Sequence, residues 1–281
     1  MNKVVLSVLA ALAVSTAAPA FAADMPVKAL KAPVAAPSPW DIAFGTAFTT
    51  DYRLRGVSQS NGRGAVQGYF ELDYTVNDWL KLYAGVWGSS LSYAYANAEI
   101  DISGGARLSY GNFGLDLGYV YYYYPSPNPL ILVGPPAGSS VSFGDFYAKP
   151  SYKFNDWLTV GAIVDYGNNN NNGVGIIGSK AEGYYSGNAV ITLPVTLPYG
   201  IVASINPEIG RQWAKCTGCT SFTYWDVGLD LNYKAVTLDL RYWDTSVRNN
   251  AAFINAITGM QTAGRTFVAT LKFDTTFSSL K

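Results

Sequence analysis

Two acidic pairs, Glu71/Asp73 and Glu99/Asp101, and one mixed cluster, Asp51, Arg53 and Arg55, are the side chains whose spacing would allow chemistry. Carboxylates two residues apart would share a proton as an acid–base dyad if held together. The same spacing is also what any strand places on one face. Hydrolysis by an activated nucleophile calls for a base that is neutral near pH 7, usually histidine, and the chain has none. There is no glycine-rich phosphate loop, EF-hand pattern or nucleic-acid motif. Lys+Arg and Asp+Glu balance at 19 each, so no basic surface exists to hold nucleic acid. The expectation is a protein that is not an enzyme and needs no cofactor or metal.

These residues follow a leader. Lys3 is a basic start, Val4 to Ala13 are almost wholly apolar, and Ala20-Phe21-Ala22 fits the small-x-small cleavage pattern. Residues 1–22 therefore read as a signal peptide. Their apolar core is shorter than the ~20 residues a bilayer-spanning helix needs. Residues 23–38, rich in Pro and Ala, read as an extended periplasmic lead-in, and 39–281 as a single domain. The leader places Cys216 and Cys219, the only cysteines, in an oxidising compartment. No histidine or further cysteine completes a metal site with them, so a small disulfide-closed turn is expected, with two free thiols as the alternative.

Strands must position the acidic pairs. Only 14% of residues are charged, where a soluble domain carries about 25%. From Ala65 the chain alternates: Val66, Phe70, Leu72 and Tyr74 point one way, and Gln67, Tyr69, Glu71 and Asp73 the other. The same period marks strands near 40–54, 65–76, 80–87, 97–109, 113–124 and 143–154. Six more fall near 158–166, 181–193, 201–211, 222–233, 236–245 and 265–273. The ninth contains Pro207, which requires a bulge or kink. Twelve apolar-outside strands in a secreted chain predict an all-β fold, an antiparallel transmembrane barrel of the outer-membrane type.

Short connections at Asn77-Asp78, Gly111-Asn112, Asn155-Asp156, Pro198-Tyr199-Gly200 and Lys234-Ala235 alternate with long ones near 55–64, 88–96, 125–142, 167–180, 212–221 and 246–264. Outer-membrane barrels keep short turns in the periplasm and long loops outside. A soluble two-sheet sandwich, the structural alternative, has no reason to obey that rule. Trp40, Trp79, Phe113, Trp157, Tyr199 and Tyr233 all fall on the short-turn side, as an interfacial girdle would. Asn-Asp-Trp-Leu occurs at 77–80 and again at 155–158; duplication of a four-strand unit and recurrent turn chemistry both account for it.

Strand parity turns Asp41, Asp51, Glu71, Asp73, Glu99, Asp101, Asp116, Asp145, Asp165, Glu182, Glu208, Asp226, Asp230 and Asp239 inward. The inward bases are Arg53, Arg55, Lys81, Arg107, Lys149, Lys153, Arg241 and Lys272, leaving an excess of six acids (14 − 8). The parity places Asp51, Arg53 and Arg55 together on the first strand near the outer mouth. A passage lined this way would mildly favour cations, because confined charge concentrates its counter-ions. The expected function is passive diffusion of small hydrophilic solutes or ions. The alternative is a closed structural or adhesive barrel whose charges pair across a filled interior. Loop 125–142, rich in Pro, Gly and Ser, is long enough to fold into the mouth.

The segment Asp51-Tyr52-Arg53-Leu54-Arg55-Gly56-Val57-Ser58-Gln59 resembles the signature near the start of the proteobacterial TorF-type porin family, formerly a conserved domain of unknown function. Gly118-Tyr119-Val120-Tyr121-Tyr122-Tyr123-Tyr124-Pro125 is similar to its second marked stretch. The resemblance implies an outer-membrane barrel in a Gram-negative bacterium, in contact with outer-membrane lipid and dependent on the barrel-assembly machinery. Two features depart from the pattern. Cys216 and Cys219 are not part of it, and the chain runs past Phe273, where a terminal aromatic would close the last strand; Phe277 would serve if that strand extends further.

Overall fold

A computed structural model describes residues 38–92, 96–125, 142–168, 181–195, 197–214, 220–248, 250–255 and 258–280. The leader, most of the lead-in, Cys216, Cys219 and most of loop 125–142 lie outside the described residues. The strands, in chain order, are β1 (Trp40–Thr49), β2 (Arg53–Leu54), β3 (Val57–Ser58), β4 (Ala65–Asn77), β5 (Leu80–Ser90), β6 (Ala98–Tyr110) and β7 (Phe113–Tyr123). They continue as β8 (Phe143–Lys153), β9 (Leu158–Asn168), β10 (Ala181–Thr192), β11 (Val202–Ala214), β12 (Phe222–Tyr233), β13 (Val236–Thr245) and β14 (Thr266–Thr276). Twelve of them close into one antiparallel barrel in which β1 pairs with both β4 and β14. The short β2–β3 hairpin is separate from the wall.

Closure follows from the medium. Lipid offers no hydrogen bonds, so a spanning sheet cannot leave an edge. The apolar residues that alternate along the strands face outward and are exposed: Val66, Phe70 and Leu72 on β4, Leu82 and Val86 on β5, Val227 and Leu229 on β12, Leu240 on β13. No helix among the described residues is long and apolar enough to cross a membrane. The chain is a twelve-stranded barrel of the outer-membrane type.

Two prolines sit inside strands without the bulge expected at Pro207. The β10–β11 register passes from Asn188↔Glu208 directly to Ile191↔Ile205, and β8–β9 from Ala148↔Val164 to Ser151↔Gly161. Each gap falls beside a proline, Pro207 or Pro150, which has no N–H to donate. The rungs are skipped and the register is kept. The only register shift in the β4–β5 ladder lies between Thr75 and Asn77, at the turn.

The recurrent turn has one chemistry. Asn77 Oδ1 accepts from the Trp79 and Leu80 amides at 3.0 and 2.9 Å, and Asn155 Oδ1 accepts from Trp157 and Leu158 at the same distances. An Asx turn suffices to explain the repeated tetrapeptide. The six aromatics of the short-turn side are all exposed, as an interfacial girdle requires.

The last strand runs beyond Phe273 to Thr276, and the Phe277 amide donates to the Ile42 carbonyl at 2.8 Å. Phe277 is thus the exposed aromatic that ends the seam strand. Ser278 then fastens the terminus to the start of β1, its hydroxyl and amide reaching the Asp41 carboxylate at 2.5 and 3.0 Å. Asp41 belongs to this periplasmic clasp.

The orientation is testable in a background of Cys216→Ser and Cys219→Ser. An impermeant thiol reagent on intact cells should label Arg63→Cys and Thr258→Cys and leave Asp78→Cys and Asp156→Cys unlabelled until the cells are opened. The reverse pattern would invert the barrel.

Candidate functional site

After Thr49 the chain leaves the wall, so Asp51, Arg53 and Arg55 are not on the first strand as its alternation implied. Residues 51–60 fold into a tight hairpin at the outer end of the lumen, and most of them are buried. Asp51 is its staple. Its carboxylate accepts from Ser58 Oγ at 2.5 Å, Ser60 Oγ at 2.9 Å and Arg53 Nε at 2.8 Å. The Gln59 amide donates to the Tyr52 carbonyl, and the Tyr52 amide to Ser60 Oγ, closing the hairpin from the other side.

The turn between β2 and β3 needs two consecutive left-handed residues, Arg55 at φ 51° and Gly56 at φ 81°. This is the backbone of a two-residue hairpin turn, and glycine is the natural second member. Space also demands glycine: a Cβ at Gly56 would come within 2.8 Å of Thr245 and Tyr224 on the wall.

That turn delivers Arg55 to the opposite side of the barrel. In the strand order β9 lies six places from β1, half the circumference away. Arg55 Nη2 donates to Asp165 on β9 at 2.7 Å and to Asp145 on β8 at 3.4 Å, and Nη1 donates to Gln212 on β11 at 2.7 Å. Its guanidinium lies 4.4 Å from the Tyr184 ring centre. Burial alone would lower the Arg55 pKa, but the negative groups around it, Asp165 and Asp145 among them, outweigh burial and raise it. Tyr52 fixes a third point on the wall. Its hydroxyl donates to Glu99 on β6 at 2.9 Å, and its ring meets Trp87 on β5 edge-on. Burial, with the charge of Glu99, pushes the phenol well above its ordinary range, so it remains a donor.

The connection before β14 covers the hairpin. Val57 bridges Ala263, the Ser58 amide donates to the Thr262 carbonyl, and Arg53 Nη1 donates to the carbonyls of Gly56 and Gly264. Val57, Phe222, Val247 and Ala263 form a small buried cluster there. Tyr52, Tyr122, Tyr124 and Phe143 form another on the far side. The lumen is therefore crossed at its outer end by residues 51–60.

Below this level the wall charges gather around two arginines. Arg107 holds Glu71 through both nitrogens of its fork at 2.7 and 2.9 Å, and reaches Asp73 at 3.3 Å and Asp116 at 3.4 Å. Lys81 adds a 3.6 Å contact to Asp73. Arg241 pairs with Asp226 and, at 3.3 Å, with Asp239, which also takes Lys272 at 3.0 Å. Tyr83 and Tyr147 join hydroxyls beside Asp116, while Tyr184 and Tyr224 join theirs on Glu208. Glu99, Asp101, Glu208 and Asp230 have no ion-pair partner among the described residues. No group of three or more Asp, Glu, Cys or His among those residues is arranged to hold a metal ion.

Solvent reaches the two levels differently. At the hairpin the side chains of Arg55 and Asp145 are 11% and 1% exposed; below it Lys81, Arg107 and Lys272 are 42%, 37% and 36% exposed. The outer end is packed, and below it water reaches Lys81, Arg107 and Lys272, while the Arg241–Asp226 pair stays nearly buried, its side chains 17% and 1% exposed.

This chain belongs to the family described as "Bacterial protein of unknown function (Gcw_chp)", which matches residues 34–277. Among solved structures it is similar to an outer-membrane channel from Pseudomonas putida F1, at 12% identity over 86% of this chain and 97% of that one, with a TM-score of 0.49. It is also similar to the NanC porin (8% identity, 83% and 97% covered, TM-score 0.42) and to a TodX monoaromatic hydrocarbon channel variant (11%, 86% and 90%, 0.43). No curated protein matches it in sequence.

Burial separates the two arginine sites in a measurable way. Arg55→Met strands nearly buried carboxylates and should cost about 3–5 kcal/mol of unfolding free energy in denaturant titrations of refolded protein. Arg107→Met, in a solvated network, should cost about 1–2 kcal/mol after screening. Equal losses would contradict the packed-outer, wet-inner division.

Proposed function

We propose that the barrel is a porin-like channel for passive diffusion of small hydrophilic solutes or ions, narrowed at its outer mouth by residues 51–60 and mildly selective for cations. The observation that carries this reading is the water-accessible, charge-lined lower lumen; a barrel filled with side chains would bury Lys81, Arg107 and Lys272 as it buries Asp145. The cation preference rests on acids that remain without a basic partner among the described residues, above all Glu208 and Asp230, whose field is confined by the wall. The Asp51–Gln59 segment supports the finer placement among TorF-type porins, and the signal-peptide pattern of residues 1–22 supports export and insertion by the barrel-assembly machinery.

A closed structural barrel is the second reading, and the burial of the hairpin favours it. Conductance in planar bilayers distinguishes the two. The channel reading expects small openings from the wild type, a reversal potential in a salt gradient that favours cations, and a severalfold larger conductance when residues 52–59 are replaced by a Gly-Ser segment of equal length. Absence of conductance from both folded proteins would establish the closed barrel.

A further inference from the structure

Three arginines stand at the outer end of the lipid-facing surface, all within the sector β11–β14. Arg211 has the outward parity of exposed Ile209, and Arg265, just before β14, that of exposed Phe267. Arg248, in the stretch after β13, reaches back to Asp244 at 3.2 Å. Beneath them Trp225, Tyr242 and Phe267 run ring to ring across β12, β13 and β14, with centroids 5.4 and 4.9 Å apart. Such rings mark the level at which hydrocarbon gives way to headgroups. On other strands the outward positions near the outer end are uncharged: Val66, Ser90, Tyr123, Phe146, Tyr166 and Tyr185. Among the described residues at the outer ends of the strands, the outward-facing positive charge lies within β11–β14, one third of the circumference.

Two of the three arginines, Arg211 and Arg265, lack a carboxylate partner among the described residues. Asp244 is engaged by Arg248, and the side-chain contact that Arg211 makes there is with Thr223 Oγ1 at 3.2 Å. No carboxylate among the described residues pairs with Arg211 or Arg265. An uncompensated guanidinium beside hydrocarbon is costly, so it recruits an anion from its surroundings. At this level the surroundings are lipid headgroups. Phosphate matches the planar fork of arginine with two parallel hydrogen bonds. Strands β11 and β14 are three spacings apart, about 14 Å at ~4.8 Å each. That span suits a headgroup carrying two separated phosphates better than one inorganic phosphate.

We propose that the outer rim of β11–β14 is a docking site for a bisphosphorylated glycolipid of the outer leaflet. Arg211 and Arg265 hold its phosphates, and Trp225, Tyr242 and Phe267 pack against its acyl chains. The probe is bisphosphorylated lipid A, added to the purified mature protein in detergent and counted by native mass spectrometry. The wild type should retain one lipid per barrel. Arg211→Gln combined with Arg265→Gln should retain at least tenfold less, the ratio that about 1.4 kcal/mol of lost interaction gives. Heat-modifiable gel migration verifies that the variant is folded, and Arg265→Gln alone serves if the double variant is not. Lys153→Gln with Lys234→Gln, on the periplasmic side, should bind as the wild type does. Equal retention by the arginine variants, or equal retention of phosphate-free lipid A by the wild type, would overturn the proposal. So would a dimer that the arginine substitutions dissociate, since a second copy would then occupy the surface.

Discussion

The contact between Arg55 and Asp165, 2.7 Å long, ties a segment that leaves the wall at β1 to a strand half the barrel away. A charge carried so far into a packed region must be met there, since an unpaired buried ion costs several kcal/mol. Asp145 and Gln212 complete the reception, and the Tyr184 face lies against the guanidinium. The hairpin that presents Arg55 depends on the same contact. Its turn places a non-glycine residue at positive φ, a conformation that costs free energy unless contacts of the side chain offset it. Asp51 shapes the hairpin, Gly56 lets it approach the wall, and Arg55 anchors it.

The membrane imposes the other constraint. Because the apolar faces must point outward, the alternation of each strand sends its polar positions into the lumen, whatever function they serve. The interior then divides by packing. Where the hairpin and the connection before β14 fill it, carboxylates are nearly dry and held by Arg53 and Arg55, by serine hydroxyls and by the Tyr52 hydroxyl. Lower down, Arg107, Lys81 and Lys272 meet their acids in contact with water, while Arg241 and Asp226 form a pair that is nearly buried. A solute would encounter a charged vestibule first from the periplasm and a constriction last.

Strand parity is legible in the sequence because period 2 is a local signal that the outward residues carry unambiguously, as in Val66, Phe70 and Leu72. So are the Asn77 and Asn155 turns, whose side-chain chemistry is local. The hairpin is not. Asp51, Arg53 and Arg55 alternate with Tyr52 and Leu54 just as a strand does, and Arg-Gly is a weaker turn signal than Asn-Gly or Asp-Gly. Two serines spaced to reach Asp51 and a glycine after Arg55 are the available clues. The partners of Arg107 and Arg241 are also out of reach, because a ladder's register, not its parity, decides which acid lies across from which base. The final strand runs past Phe273, as the alternative of Phe277 as its terminal aromatic allows: the ladder continues through Asp274, opposite Gly45 on β1.

A double-mutant cycle on Arg55→Met and Asp165→Asn, read by unfolding free energy of the refolded barrel, tests the transluminal contact directly. Direct coupling predicts an interaction energy of about 2 kcal/mol between the two substitutions. Additivity within about 0.5 kcal/mol would mean that the two side chains do not meet, and that the hairpin does not cross the lumen.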